Sequence, residues 1–99
     1  MRIFVTKSFR RFQRKEGIKD AALSDAVERA ERGLIAADLG GGLIKQRVAR
    51  PGEGKSGGFR TIIAYRSGRR AFFVFGFAKN DRDNLGTADE RDLKIFRDS

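Results

Sequence analysis

The sequence predicts an α+β protein in which two helices pack on one face of a small antiparallel sheet. Three observations predict this class. Apolar residues recur at helical spacing in the first half of the chain, runs of strand type fill the second half, and a tight turn separates the last two runs. Helices followed by strands indicate segregated layers rather than alternating units of a parallel sheet. The predicted order of elements is β-α-α-β-β-β-α.

The first half predicts one short strand, over residues 2–5, and two helices. Thr6 can cap the first helix, and Gly17 ends it. Its apolar positions are Phe9 and Phe12. The second helix begins at Asp20 or a neighbour and ends before the three glycines at 40–42. Its predicted apolar face comprises Leu23, Ala26, Val27, Ala30 and Leu34.

The second half predicts a three-stranded antiparallel meander and a short final helix. The strands cover 43–49, 59–66 and 70–79, with a loop over 51–58 and a turn at 67–68. The third strand is apolar on both faces, which is typical of a central strand. We predict that Phe73, Phe75 and Phe77 share one of those faces. Thr87 can cap the last helix, and the first strand is expected at an edge of the sheet.

Length and composition predict a single cytoplasmic domain over residues 1–99. A chain of 99 residues can bury one modest core. No run approaches 18 apolar residues, so no membrane span is expected. The N-terminus has no signal-peptide pattern.

The net charge of +9 is concentrated in the middle of the chain. Residues 43–70 carry eight basic side chains and one acidic one. A basic segment between nearly neutral ends is typical of a surface that binds nucleic acid or an acidic protein.

Several chemistries are excluded or disfavoured by residue type. The chain has no His and no Cys, so the usual serine and cysteine triads cannot form. Gly54-Lys55-Ser56 matches the end of a P-loop, but Ala49 stands where that motif needs glycine and a strand follows instead of a helix. Carboxylate-only Mg²⁺ binding stays open but disfavoured, and we expect neither a metal nor another cofactor.

One reaction can be run largely by cations, namely attack of an RNA 2′-hydroxyl on the adjacent phosphate. The nucleophile belongs to the substrate, so the protein must align it and stabilise the extra negative charge. Lys55 and Arg60 suit that role. A meander places the end of its third strand beside the start of its second, which predicts that Lys79 lies near both.

Three motifs together resemble the RelE/ParE superfamily of bacterial type II toxins, and the HigB-like branch in particular. The motifs are Gly41-Gly42-Leu43-Ile44-Lys45-Gln46-Arg47, Gly52-Glu53-Gly54-Lys55-Ser56-Gly57-Gly58-Phe59-Arg60 and Phe75-Gly76-Phe77-Ala78-Lys79-Asn80-Asp81-Arg82-Asp83-Asn84-Leu85. The resemblance covers nearly the whole chain. It implies a RelE-like fold and a metal-independent endoribonuclease that cuts mRNA in the ribosomal A site and inhibits translation.

The resemblance also implies site residues. The catalytic candidates are Lys55, Arg60, Lys79 and Arg82. To these we add candidates for RNA binding that the resemblance does not itself imply, namely Arg47, Arg50, Ser56, Asn80, Arg10, Arg11 and Arg14, with the last three expected to hold ribosomal RNA. Relatives carry an arginine general acid just after the last strand's lysine, where this chain has Asn80, so Arg82 is the nearest substitute. Relatives also carry a tyrosine in the final segment, whereas Tyr65 is the last tyrosine here.

The implied partners are mRNA, the ribosome and a cognate antitoxin, with a helix-turn-helix antitoxin as one option. Operator DNA would be bound only through the antitoxin complex. Two alternatives stay open, because one fold can carry several functions. The first is a gyrase inhibitor of the ParE type without nuclease activity, and the second is a degenerate toxin that acts only in a repressor complex.

Overall fold

The computed structural model describes residues 2–50, 54–66 and 69–78. The elements in order are β1 (Arg2–Val5), α1 (Lys7–Glu16), α2 (Asp20–Glu31), β2 (Ala37–Gly40), β3 (Leu43–Arg50), β4 (Gly54–Arg66) and β5 (Arg70–Ala78). The strands form one sheet in the order β1-β5-β4-β3-β2. β1 is parallel to β5, and the other neighbours are antiparallel. The α+β class, the edge position of the first strand and the β3-β4-β5 meander are confirmed. The sheet is mixed where an antiparallel one was predicted, because β1 pairs with β5 in parallel. The predicted helix over 87–99 lies outside the described residues.

Both helices begin where the sequence predicts. The hydroxyl of Thr6 accepts a hydrogen bond from the backbone N–H of Phe9 at 3.1 Å, which caps α1, and Gly17 ends it with φ 68°. α2 ends at Glu31 because Gly33 turns the chain with φ 81°. Leu34 therefore lies beyond the helix and is 58% exposed, so its predicted place on the apolar face is wrong.

The two helices share one face of the sheet, as predicted. Their apolar side chains meet alternate side chains of β3, β4 and β5 in the main core. The fully buried members of this core, none more than 2% exposed, are Phe9, Ala26, Val27, Val48, Phe59, Ile63, Ala71 and Phe73. A second apolar cluster lies on the other face and includes Leu43, Ile62 and Ala64. Both faces of the central strands are thus buried.

Two strand boundaries differ from the prediction. β2 was not predicted, because Ala37–Gly40 has few residues that favour strands. It forms by pairing with β3 across the turn at Gly41 and Gly42. β4 begins at Gly54, so the predicted loop over 51–58 is wrong from that residue onward. Gly54 pairs with Arg50 on β3, so the strand extends to this residue despite the weak strand propensity of glycine.

A β-bulge in β5 separates Phe73 from the face that Phe75 and Phe77 share, so the prediction that all three share one face is wrong for Phe73. Ile62 pairs with Phe75 while the next residue, Ile63, pairs with Phe73, so Val74 is the extra residue. The bulge places Phe73 in the helix-side core and Phe75 in the cluster on the other face. The Thr6 hydroxyl donates to the carbonyl of Val74 at 3.0 Å, which joins the α1 cap to the bulge.

Gly76 lies beneath the aromatic side chains of α1, and its substitution should destabilise the fold. A Cβ at this position would lie 2.5 Å from Cδ2 and Cε2 of Phe12, whose ring packs edge-on against Phe59. We expect Gly76→Ala to lower the free energy of unfolding by about 1–3 kcal/mol, measured by urea denaturation. Adding Phe12→Leu should recover much of that loss. Unchanged stability in the single variant would contradict the close packing.

Tyr65 should make stability depend on alkaline pH. Burial first, and then the charge of Glu31, raise the pKa of its phenol. The folded state therefore favours the neutral phenol. This contribution is fully present below the unfolded-state pKa of about 10 and is lost as the pH rises through the folded-state pKa.

Urea unfolding between pH 8 and 11 checks this expectation. The free energy of unfolding of the wild type should fall more steeply above pH 10 than that of Tyr65→Phe. Tyr65 is the one tyrosine of the chain, so phenolate absorbance reports its titration directly. Equal slopes for the two proteins would contradict the raised pKa.

Candidate anion-binding site

Arg47 and Arg60 stand directly opposite each other on the neighbouring strands β3 and β4. The adjacent residues, Val48 and Phe59, lie in the core beneath the helices. Successive side chains of a strand alternate between faces, so both arginines lie on the face away from the helices. The sheet therefore presents two cations side by side on that face.

The hydrogen bonding makes Arg47 and Arg60 a close pair. The N–H of Arg47 donates to Oε1 of Gln46 at 3.1 Å, and its carbonyl accepts from Nη2 of Arg29 at 2.6 Å. Both groups of Arg47 therefore point away from β4. The two arginines form a non-hydrogen-bonded pair, in which the Cα atoms lie about 4.5 Å apart.

Arg60 is held in an electrostatically unfavourable state. It is half-buried, and its Nη1 atom is buried with no hydrogen-bond partner among the described residues. Burial first, and then the charge of Arg47, lower the pKa of its guanidinium. A buried unpaired donor costs about 1–3 kcal/mol, and like charges opposite each other on a sheet destabilise it. An anion bound here would accept a hydrogen bond from Nη1 and offset both costs.

The C-terminal end of β5 lies beside Arg60. Phe77 pairs with Arg60, and Ala78 pairs with Phe59. The strand register that underlies the prediction for Lys79 is thus confirmed. Lys79, Asn80 and Arg82 themselves lie outside the described residues. Of Arg50, Lys55 and Ser56 the structure describes the backbone, at the end of β3 and the start of β4. Their part in the site stays a prediction.

The arginines of α1 lie apart from this pair. Arg10, Arg11 and Arg14 are exposed on a helix that covers the opposite face of the sheet. Nη1 of Arg10 donates to Oε1 of Gln13 at 3.0 Å and lies 3.8 Å from Oδ1 of Asp20. This interaction ties Arg10 to the start of α2. The structure thus brings Arg47 and Arg60 together and does not add these three.

Two buried polar residues behind the pair were missed by the sequence interpretation. Arg29 is 7% exposed and Gln46 is 1% exposed. Nε2 of Gln46 donates to the carbonyls of Ala26 and Leu34 at 3.0 and 2.9 Å, while the backbone carbonyl of Gln46 accepts from the Thr61 hydroxyl at 3.0 Å. Gln46 could have been found, because it occupies an inward position between Ile44 and Val48.

A separate groove of about 410 Å³ lies along β1 and is lined by residues that include Ile3, Leu23, Ser24 and Arg10. It does not contain the arginine pair. Among residues 2–50, 54–66 and 69–78, no three acidic, His or Cys side chains lie close enough to hold a metal ion. Within the same ranges, no helix is long and apolar enough to cross a membrane.

The family model described as the RelE toxin of the RelE / RelB toxin-antitoxin system matches residues 1–98. No curated protein matches the chain significantly.

Proposed function

The chain belongs to the RelE family of toxins from toxin-antitoxin systems, and on that premise we propose that it is an mRNA endonuclease acting on the ribosome. Toxins of this family are generally endoribonucleases, and membership implies a cognate antitoxin partner. The observation that supports the proposal is the Arg47–Arg60 pair, in which the buried Nη1 atom of Arg60 has no partner in residues 2–50, 54–66 and 69–78. This arrangement suits a phosphate that gains negative charge during reaction.

The proposed reaction is an internal transesterification. The 2′-oxygen of a nucleotide attacks the adjacent phosphorus while the bond from phosphorus to the 5′-oxygen of the next nucleotide breaks. The products are a 2′,3′-cyclic phosphate and a 5′-hydroxyl. One proton leaves the attacking hydroxyl and one reaches the departing oxygen. No external nucleophile or metal is part of this scheme.

Each residue of the site has a proposed role. Arg60 stabilises the transition state through its fork of N–H donors, which matches the geometry of phosphate oxygens. Arg47 orients the phosphate beside it. Lys55 and Lys79 add positive charge, and Arg82 is the proposed proton donor. Further contacts to mRNA are assigned to Arg50, Ser56 and Asn80. Arg10, Arg11 and Arg14, which lie on the opposite face of the sheet, are assigned to ribosomal RNA.

The proposed partners follow from this reaction. Translating ribosomes present mRNA in the A site, so we assign the protein to the cytoplasm. We also propose that residues 1–99 form one toxin domain. The antitoxin is expected to present acidic residues to the basic face. Regulation of the operon would then act through DNA bound by the antitoxin complex, with a helix-turn-helix antitoxin as one option.

Purified ribosomes programmed with a defined mRNA test the proposal. Wild-type protein should yield discrete fragments whose upstream ends carry a 2′,3′-cyclic phosphate. A matched mRNA with a single 2′-deoxynucleotide at the cut position should stay intact there, because the nucleophile is missing. Cleavage of the deoxy-substituted mRNA at the same bond would overturn the proposed reaction.

A further inference from the structure

β2 covers only the first part of the edge of β3, and its pairing stops before Arg47. β2 pairs with β3 over Leu43 to Lys45, and the N–H of Ala36 bonds to the carbonyl of Lys45. At Arg47 no strand follows on that edge among the described residues. Side chains take its place, since Arg29 bonds to the carbonyl of Arg47 and Gln46 bonds to the N–H.

We propose that Arg29 and Gln46 are positioning residues that hold the backbone of Arg47 and thereby set the geometry of the Arg47–Arg60 anion site. The catalytic part of this inference rests on the proposed function. The like charges of Arg47 and Arg60 repel each other across the pair, so any restraint on the backbone of Arg47 helps to fix the distance between them. Hydrogen bonds from the far side of β3 supply that restraint.

The chemistry of Arg29 suits this role. Its guanidinium reaches two acceptors at once, with Nε 2.9 Å from Oδ2 of Asp25 and Nη2 2.6 Å from the Arg47 carbonyl. Asp25 lies one helical turn earlier on α2 and fixes the plane of the fork. A buried cation is costly to fold around. Here the buried guanidinium of Arg29 joins α2 to β3, the strand that carries Arg47.

Gln46 completes the restraint from within the core. It joins β3 to α2 through the Ala26 carbonyl and to the chain after α2 through the Leu34 carbonyl. Its Oε1 then accepts from the Arg47 N–H. The backbone of Arg47 is therefore held at both its N–H and its carbonyl by the side chains of Gln46 and Arg29.

Binding of inorganic pyrophosphate tests the inference without the ribosome. The arginine Nε–H resonances of labelled protein would be followed by NMR during titration. Arg29→Met should raise the Kd for pyrophosphate about tenfold and Arg29→Lys about two- to threefold, since small misplacements of binding groups are costly. Arg32→Met removes an exposed arginine at the end of the same helix and should change the Kd less than about twofold.

Two further readouts separate positioning from stability. Urea denaturation must first show that each variant is folded under the titration conditions, because a purely structural residue would not change the Kd of folded protein. The amide of Arg47 should exchange with solvent faster in Arg29→Met than in Arg32→Met. If Arg29→Met does not fold, Arg29→Lys carries the test, and a Kd equal to that of the wild type overturns the inference.

The outcomes distinguish this inference from the proposed function. A folded Arg29→Met protein with wild-type pyrophosphate binding and wild-type cleavage would overturn the positioning role and leave the nuclease proposal standing. A wild type that binds pyrophosphate in an Arg29-dependent way but never cuts mRNA would support the positioning role and contradict the nuclease. Absence of pyrophosphate binding at Arg60 in the wild type would overturn the inference.

Discussion

Replacing Arg60 with methionine is expected to reduce mRNA cleavage at least about tenfold and, at the same time, to raise the free energy of unfolding by about 1 kcal/mol. The loss of activity follows from removal of the proposed phosphate ligand. The gain in stability follows because the variant no longer buries an Nη1 atom that has no partner within the described part of the chain, and no longer places like charges opposite each other. Opposite changes in activity and stability are typical of a residue kept for function.

Cleavage of programmed ribosomes and urea denaturation measure the two effects. Arg60→Lys is the matched variant, because it keeps the positive charge and loses the fork that binds phosphate at two points. We expect it to recover only a small part of the activity. A folded Arg60→Met protein with wild-type cleavage would remove Arg60 from the site. A large loss of stability would show that Arg60 is a structural residue.

Arg47→Glu should have the larger effect on activity, a loss of about 100-fold or more. The new carboxylate would lie opposite Arg60 in the close cross-strand pair and accept hydrogen bonds from its guanidinium. It would occupy the place of the phosphate and repel the substrate. For the same reason we expect the free energy of unfolding to rise by about 0.5–1 kcal/mol.

Two variants control for the change of charge. Lys45→Glu makes the same change in net charge on the same face of β3, two residues away, where the partner on β4 is Ile62. It should reduce cleavage much less than Arg47→Glu does. Arg47→Gln removes the positive charge without adding a negative one and should give an intermediate loss. If Lys45→Glu and Arg47→Glu were equally inactive, general charge rather than the pair would explain the effect.

The fold was predicted well where the local pattern and the tertiary contacts agree. Thr6 and Gly17 bound α1 as predicted because capping is decided by neighbouring residues. The Val74 bulge and the short β2 could not be predicted, because both depend on pairing with distant strands. The bulge shifts the alternation of side chains by one residue, so Phe75 lies on the face opposite that of Phe73.

Only part of the site was predicted, because it also depends on contacts between distant parts of the chain. The meander correctly placed Arg60 beside the end of β5, and the register then revealed Arg47 as its direct partner. The role of Arg29 depends on one contact between α2 and the edge of β3, which helical spacing alone does not reveal. In the sequence, the sign of this hydrogen-bond network was Gln46, a polar residue at an inward position of a strand.

Mapping of mRNA 5′ ends after induced expression in growing cells tests the central claim most directly. The proposal predicts growth arrest with discrete cuts inside translated frames, and loss of those cuts in cells expressing Arg60→Met at equal protein levels. Arrest with intact mRNA and early DNA damage would contradict the nuclease and favour gyrase inhibition. Normal growth with intact mRNA would contradict it in favour of an inactive toxin that acts in a repressor complex.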